Sequence, residues 1–372
     1  MRITSLLCLS LLLVSCGSKS NKSTTEEIAK ELPIIPDTIT LLFAGDIMQH
    51  LPQINAAKTE TGYNYDNCFT HVKEDIQSVD LAIANLETTL AGAPYTGYPQ
   101  FSAPDEIAVA IKKAGFNVLL TANNHTMDRY GKGLVRTLDV LDSLKIPHLG
   151  SYRTEEERET LHPLFITVKE MKLALLNYTY GTNGIPFHSP HVVNLIDTTA
   201  IKKDIQVAKN KLSDAIIVCI HWGDEYVTSP NKTQKNLASW LIGQGVDHII
   251  GSHPHVVQPI KQIDNPEKET QHIVAYSLGN YISNMSREGT DGGLMVKLKM
   301  YKENEKLNTE ASYSLVWVAR PWLTGEKKYT ILPINFPEEK LNTNSYNRLI
   351  LFKKQAERVL KENDKEIKEY FL

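Results

Sequence analysis

Six short polar clusters in this chain carry the residue types that hold metal ions and move protons. They are Gly45-Asp46; Asn85-Leu86-Glu87; Asn123-Asn124-His125 with Asp128; His221-Trp222-Gly223-Asp224-Glu225; Gly251-Ser252-His253-Pro254-His255 with Gln258; and Ser277-Leu278-Gly279-Asn280. His253 and His255 stand two apart with a proline between them. In an extended loop, residues i and i+2 point the same way, so both imidazoles can face one cation. Pro254 lowers the entropy cost of holding that loop. Imidazole nitrogens bind zinc, iron or manganese, and carboxylate and amide oxygens complete a mixed shell. Asp46, Glu87 and Asn124 are the candidate oxygen donors, and His221 is a further nitrogen donor. Two divalent ions about 3.5–4 Å apart would share a carboxylate and a water, generate hydroxide near neutral pH and clamp a reacting phosphoryl or acyl oxygen.

Each cluster alone has a plainer reading. Gly-Asp is a common turn, and asparagine caps helices and tolerates left-handed turns. His-Pro-His alone leaves the two readings evenly matched, because buried charged histidines are costly without partners. The remaining histidines, among them His71, His162, His188, His191 and His272, read as surface or satisfied core residues.

The elements that must position these clusters decide between the readings. Short β-branched runs at Thr40–Ala44, Leu81–Ala84, Val118–Thr121, Lys172–Asn177, Ala215–Ile220, His248–Ile250 and His272–Tyr276 predict buried strands. Helical periodicity falls at Asp105–Ala114, Lys132–Leu144, Ala200–Leu212 and Thr233–Gln244. Alternation of the two predicts an α/β fold with a largely parallel sheet covered on its faces. Gly293–Met300 and Tyr313–Val318 predict later closing strands, and Pro337 is expected to end the core before one or two charged helices in 338–372. In open α/β sheets, ligands bind beyond the carboxyl ends of strands. Nearly every apolar run here ends in one of the polar clusters. That coincidence predicts a single polar site.

Composition sets outer bounds. The 372 residues suffice for one large domain or two modest ones, with 42% hydrophobic and 22% charged residues. A formal charge of −3 supplies no basic field for nucleic acid. Arg2, the short apolar run Leu6–Val14 and Ser15-Cys16 resemble a bacterial lipoprotein signal over 1–16, with Cys16 lipidated and the mature protein held on a membrane at the cell envelope. Residues 17–36 read as a polar tether. Cys68 and Cys219 then remain, and Cys219 lies in an apolar run where a small buried side chain is expected.

The motifs, in their order, resemble the CapA family of capsule or poly-γ-glutamate synthesis proteins, whose domain is similar to calcineurin-like metallophosphatases. The matching pieces are Phe43-Ala44-Gly45-Asp46-Ile47-Met48, Asn85-Leu86-Glu87-Thr88, Ala122-Asn123-Asn124-His125-Thr126-Met127-Asp128, His221-Trp222-Gly223 with Glu225, Gly251-Ser252-His253-Pro254-His255-Val256 with Gln258, and Tyr276-Ser277-Leu278-Gly279-Asn280. The resemblance implies a four-layer α-β-β-α sandwich over 37–336. It implies Asp46, Glu87, Asn124, His221, His253 and His255 as ligands of one or two divalent ions, with Glu87 in the bridging place. His125, with Asp128, would assist proton transfer. Asn85, Asn123, Trp222, Glu225, Gln258 and Asn280 are expected to contact substrate, and Trp222, Tyr180 and Tyr226 to shape a cleft, with buried packing the equal alternative for Trp222. The chain departs from the metallophosphatase pattern at Met48, where a histidine is usual, and at Glu87, where an aspartate is usual; His50 is nearby at a different spacing.

Three functions follow. One is a metal-dependent hydrolase or transferase on an anionic extracellular polymer or its precursor. Another is a non-catalytic lipoprotein that binds polymer or membrane synthase subunits. The third is a phosphodiesterase or nucleotidase, which rests on fold alone.

Overall fold

The computed structural model describes residues 38–265, 270–304, 306–361 and 367–372. The expected signal segment, its Cys16 and the tether through residue 36 lie outside the described residues. Side chains along a strand alternate between its two faces, and here that alternation sorts residues into layers. In Ile39–Ile47, Ile39, Leu41 and Phe43 join one apolar cluster, and Leu42 and Ala44 join another. In Leu81–Leu86, Leu81 and Ile83 part from Ala82 and Ala84 in the same way. In Ala215–His221, Ala215, Ile217 and Cys219 enter the first cluster, while Ile216, Val218 and Ile220 enter a third.

The shared cluster therefore lies between two sheets. Helices Glu106–Ala114 and Tyr130–Ser143 cover the outer face of one through Ile107, Ile111 and Leu141. Thr198–Asn210 and Lys232–Gly243 cover the other through Ile201, Ile205, Ala238 and Leu241. The result is a four-layer α-β-β-α sandwich. Fully burying each Ile, Leu or Val of the middle layer contributes about 1.5–3 kcal/mol, so Ile217→Ala alone would cost about 2–5 kcal/mol.

One sheet runs in the order Thr330–Pro333, Lys306–Ala319, Gly292–Glu303, Ile39–Ile47, Leu81–Leu86, Val118–Leu120, His148–Leu149. Its pairs from Ile39–Ile47 to His148–Leu149 are parallel, and the flank built by the later strands is antiparallel. The other sheet runs Ile260–Asn265, Thr270–Ala275, His248–Ser252, Ala215–His221, Met171–Thr179, Leu164–Val168, parallel at its centre and antiparallel at both edges. The parallel centres are the ones the strand and helix alternation predicts, split between two sheets rather than one.

The ordered core does not end at Pro337. Helix Thr343–Leu360 buries Leu349, Phe352, Ala356 and Leu360 in the middle cluster and packs on strand Lys306–Ala319. Lys368–Glu369 then pairs with Ser312 and Tyr313 of that strand. Apolar residues spaced three or four apart make one helical stripe, and the lysines and glutamates between them conceal it in the sequence. No helix among the described residues is long and apolar enough to cross a membrane.

Candidate metal centre

Two close backbone approaches bring the strand tips together. The segment after Thr270–Ala275 leaves its own sheet, and Asn280–Ile282 pairs with Ile39–Ile47 in the other. A Cβ on Gly45 would sit 2.0 Å from the Gly279 carbonyl oxygen, and one on Gly251 would sit 2.0 Å from the Tyr276 carbonyl oxygen. Only glycine permits such contacts, which explains a glycine ahead of Asp46 and another ahead of His253. The strand register also shifts around Asp46 against both neighbours. Such an irregularity re-aims a side chain out of the regular ladder.

Asp46, Glu87, Asn124, His221, His253 and His255 are all buried, and they meet. Asn85 Nδ2 donates to Asp46 Oδ1 at 2.8 Å. His221 Nε2 lies 2.8 Å from Asn124 Oδ1 and 3.6 Å from Glu87 Oε1. His255 Nδ1 lies 3.2 Å from Asp46 Oδ2, and its Nε2 lies 3.7 Å from Glu87 Oε1. The His221 and His253 rings are 4.8 Å apart, and those of His253 and His255 are 5.9 Å apart. Three sets place one donor atom from each member within 4.8 Å of the others: Asp46, Glu87 and His255; Glu87, His221 and His253; and Glu225, His253 and His255. Glu87 belongs to two of them, so its carboxylate lies between two potential ion positions.

The donor set fits a divalent cation on grounds of satisfaction and charge. Both Glu87 carboxylate oxygens and His253 Nδ1 are buried without a hydrogen-bond partner. Buried polar atoms are rarely left so. Burial first, then the neighbouring Asp46, pushes the Glu87 carboxyl well above its ordinary range. Burial and the adjacent histidines hold His253 down to about 3 and His221 well below the usual imidazole value. These rings stay neutral and keep a lone pair, the form that ligates metal. A divalent ion would relieve the carboxylate crowding and satisfy the orphaned atoms together.

His125 and Asp128 form a separate pair at the edge of this centre. His125 Nδ1 lies 2.7 Å from Asp128 Oδ2, which also accepts the Phe101 N–H at 2.7 Å. Burial pushes the Asp128 carboxyl up, against the lowering pull of that histidine. With Nδ1–H donated to Asp128, the ring is oriented and its tautomer set.

The histidine pair converges by a route other than the extended loop the sequence suggests. His253 and His255 have φ of 100° and 57°, both in the left-handed region. Non-glycine residues held there cost about 1–3 kcal/mol each and gather at functional sites. The loop is a strained bend rather than an extended run.

Several residues expected to touch substrate hold the centre or its surroundings together. Asn85 binds Asp46, and Asn123 donates from Nδ2 to the Leu86 carbonyl at 2.9 Å while its Oδ1 accepts the His125 N–H. Asn280 Oδ1 meets His255 Nδ1 at 3.0 Å. Gln258 is wholly buried, accepting from Gln234 Nε2 and donating to the Val227 carbonyl. Trp222 is buried too, donating to the Tyr276 carbonyl and stacking on Tyr276. All five are buried. Glu225 is exposed, and it stands with His253 and His255 as a potential ligand. Met48 is buried with its backbone tied to Ile282 and Gln53. His50 Nδ1 is engaged by Gln53 and the Asn284 N–H, and burial lowers its ring to about 4. Neither joins the three donor sets.

Ser252 and Asn183 join the centre without having been expected there, and Tyr180, expected to shape a cleft, stands beside it. Ser252 Oγ lies 2.9 Å from His221 Nδ1 and helps fix the plane of the ring whose Nε2 faces Asn124 and Glu87. Asn183 Oδ1 accepts from Asn124 Nδ2 at 3.2 Å and turns the Asn124 carbonyl toward His221. The half-exposed Tyr180 ring lies 4.5 Å from that of His253. Ser252 lay inside the histidine cluster, whereas Asn183 had no distinguishing signal.

Comparison with known proteins gives a family. A family model described as Bacterial capsule synthesis protein PGA_cap matches residues 40–285. The chain is 27% identical over 286 residues to the "Capsule biosynthesis protein CapA" of Bacillus anthracis, covering 73% of this chain and 66% of that protein. It is also 27% identical over 282 residues to the "PGA biosynthesis protein CapA" of Bacillus subtilis (strain 168), covering 72% and 69%. The matched region thus spans about two thirds of these relatives' length. Among solved structures, the NAD nucleotidase of Haemophilus influenzae overlaps 90% of this chain and 64% of its own, at a TM-score of 0.48 and 15% identity. The 5'-nucleotidase of Candida albicans overlaps 86% and 58%, at 0.43 and 11%. Neither of these two likenesses bears on the reaction.

Proposed function

We infer the function from two premises: the chain belongs to the PGA_cap family of bacterial capsule synthesis proteins, and its buried acidic and histidine groups meet as a candidate metal centre. The reading is a metal-dependent hydrolase or transferase acting on an extracellular capsule polymer, held at the envelope by lipid on Cys16. The names of the relatives refer to capsule and PGA biosynthesis, which supports a capsule polymer as the substrate class; its anionic character and a synthase partner are part of the same reading.

Asp46, Glu87, Asn124, His221, His253 and His255 would hold the ion or ions. A bound divalent ion supplies Lewis acidity and lowers the pKa of water. Asn85, Asn123, Ser252 and Asn280 hold the donor atoms in place. His125, backed by Asp128, holds or delivers a proton at its other ring nitrogen, the role of a general acid or base. The observation that carries this reading is the orphaned Glu87 carboxylate between the histidines.

The test is metal content of the full chain after manganese, zinc or iron loading, together with chain-length change of a γ-glutamyl polymer. The reading expects retained metal and polymer cleavage or transfer, both lost in His253→Ala. A folded, metal-supplemented protein that retains no metal removes the reading. A second reading, a polymer-binding accessory without turnover, is favoured by one observation: buried Met48 offers no imidazole where metallophosphatases place one. Retained metal with no polymer turnover selects it.

A further inference from the structure

A surface cavity of about 480 Å³ borders the candidate centre on the His125 side. His50, Pro52, Tyr95, Tyr98, Arg129 and Asn284 are among its lining residues. Phe101 forms the partition, its ring edge-on to His50 at 5.2 Å and to His125 at 4.6 Å. Arg129 follows Asp128 directly in the chain, so the cavity and the proton-handling pair share one turn of backbone.

The charge of this cavity is simple. Its lining contains no acidic residue, and His50 is neutral near pH 7 because burial lowers it to about 4. Arg129 is its one permanent charge. The guanidinium makes a single long side-chain contact, Nη1 to Thr96 Oγ1 at 3.5 Å, and no carboxylate pairs with it among the described residues. A guanidinium offers a planar fork that matches a carboxylate. Leu51, the prolines and the tyrosines give the remaining wall an apolar stretch beside Gln100 and Asn284, and Tyr98 is 76% exposed. They suit the aliphatic stem that carries such a group. One arginine balances one negative charge, whereas a phosphate monoester would bring a second, close to Asp128.

We propose that this cavity is a binding subsite for a carboxylate-bearing aliphatic chain, with Arg129 reading the carboxylate and Tyr98 packing on the stem. The proposal rests on the reading of the neighbouring centre as one that acts on a polymer, and it adds where and how a segment of that polymer is held.

The test is calorimetric binding of a γ-glutamyl oligomer and of its methyl ester to the full chain, with and without manganese. The expected result is that the free acid binds at least about tenfold tighter than the ester. Arg129→Gln should remove most of that difference, and Tyr98→Ala should weaken both forms. Equal binding of acid and ester, or an acid preference that survives Arg129→Gln at an unchanged unfolding temperature, overturns the subsite. If Arg129→Gln fails to fold, Tyr98→Ala decides, because its ring is exposed; unchanged affinity there also overturns the subsite. Binding by a folded protein that retains no metal after manganese supplementation supports the subsite while removing the proposed reaction.

Discussion

His255 Nδ1 lies 3.0 Å from Asn280 Oδ1, and Asn280 is pinned in turn by its Nδ2, which donates to the Thr290 carbonyl at 3.1 Å. The asparagine can only accept from that ring nitrogen, so Nδ1 carries the proton and Nε2 faces Glu87. Outer partners of this kind set a ligand's orientation and basicity, and losing one costs about 10–100-fold in metal affinity. Asn280→Ala should therefore lower affinity by that factor in a chelator competition. Unchanged affinity would show that His255 is oriented by Asp46 alone.

Glu87 separates the stability of the metal-free protein from its affinity. The carboxyl is fully buried, has no hydrogen-bond partner and is pushed up by burial and Asp46. Glutamine has the same shape and no charge to desolvate. Metal-free Glu87→Gln should be at least as stable as the parent at pH 8 in urea. It should also lose the stabilisation by manganese, about 2.7 kcal/mol at a hundredfold excess over Kd. A parent-like response to manganese in the variant would remove Glu87 from the centre.

Legibility in the sequence followed periodicity and failed at orientation. The alternation in Leu41 to Ala44 and Ala215 to Ile220 announces strands with two buried faces, and the polar tips announce a site. Whether a polar tip faces the ligand or the scaffold depends on backbone angles that composition does not encode. Gln258 and Trp222 occupy motif positions yet turn inward to Val227 and Tyr276. The left-handed angles of His253 and His255 are likewise invisible, since both residue types also suit an extended loop. The stripe Leu349, Phe352, Ala356, Leu360 was legible in principle but lay among charges that suggested a solvated helix.

His248 predicts a stability slope with pH. It is fully buried; its Nδ1 accepts the Ile273 N–H at 3.2 Å, and its Nε2 meets Thr309 Oγ1 at 3.1 Å. Burial lowers the ring from 6.5 to about 3. Protonation would place a hydrogen on the nitrogen that accepts from Ile273. The unfolded chain binds this proton more readily, so the contribution is intact above about pH 6.5 and declines as pH falls toward 3. The slope for one such group is about 1.4 kcal/mol per pH unit. His248→Gln should flatten the parent's urea stability curve by that amount between pH 4 and 6. An identical slope in both proteins would mean that His248 is solvated when protonated.

Asp291 joins the C-terminal helix to the loop behind Asn280. Its Oδ1 accepts from Arg320 Nη1 at 2.7 Å, and its Oδ2 lies 2.6 Å from Arg348 Nε. Arg320 is wholly buried, and it also donates to the Met285 carbonyl. Asp291→Asn removes the one negative charge between two guanidiniums and leaves that of Arg320 uncompensated, a situation that costs about 3–5 kcal/mol. Arg348 is partly exposed, so Arg348→Leu leaves Asp291 still paired with Arg320 and should cost less. Because Thr290, the neighbour of Asp291, holds Asn280 Nδ2, Asp291→Asn should also weaken metal retention under conditions where the protein stays folded. Urea midpoints and chelator competition read the two effects separately. Equal losses of stability for Asp291→Asn and Arg348→Leu would show that the Arg320 charge finds water, and intact metal retention would show that the loop stands without the clamp.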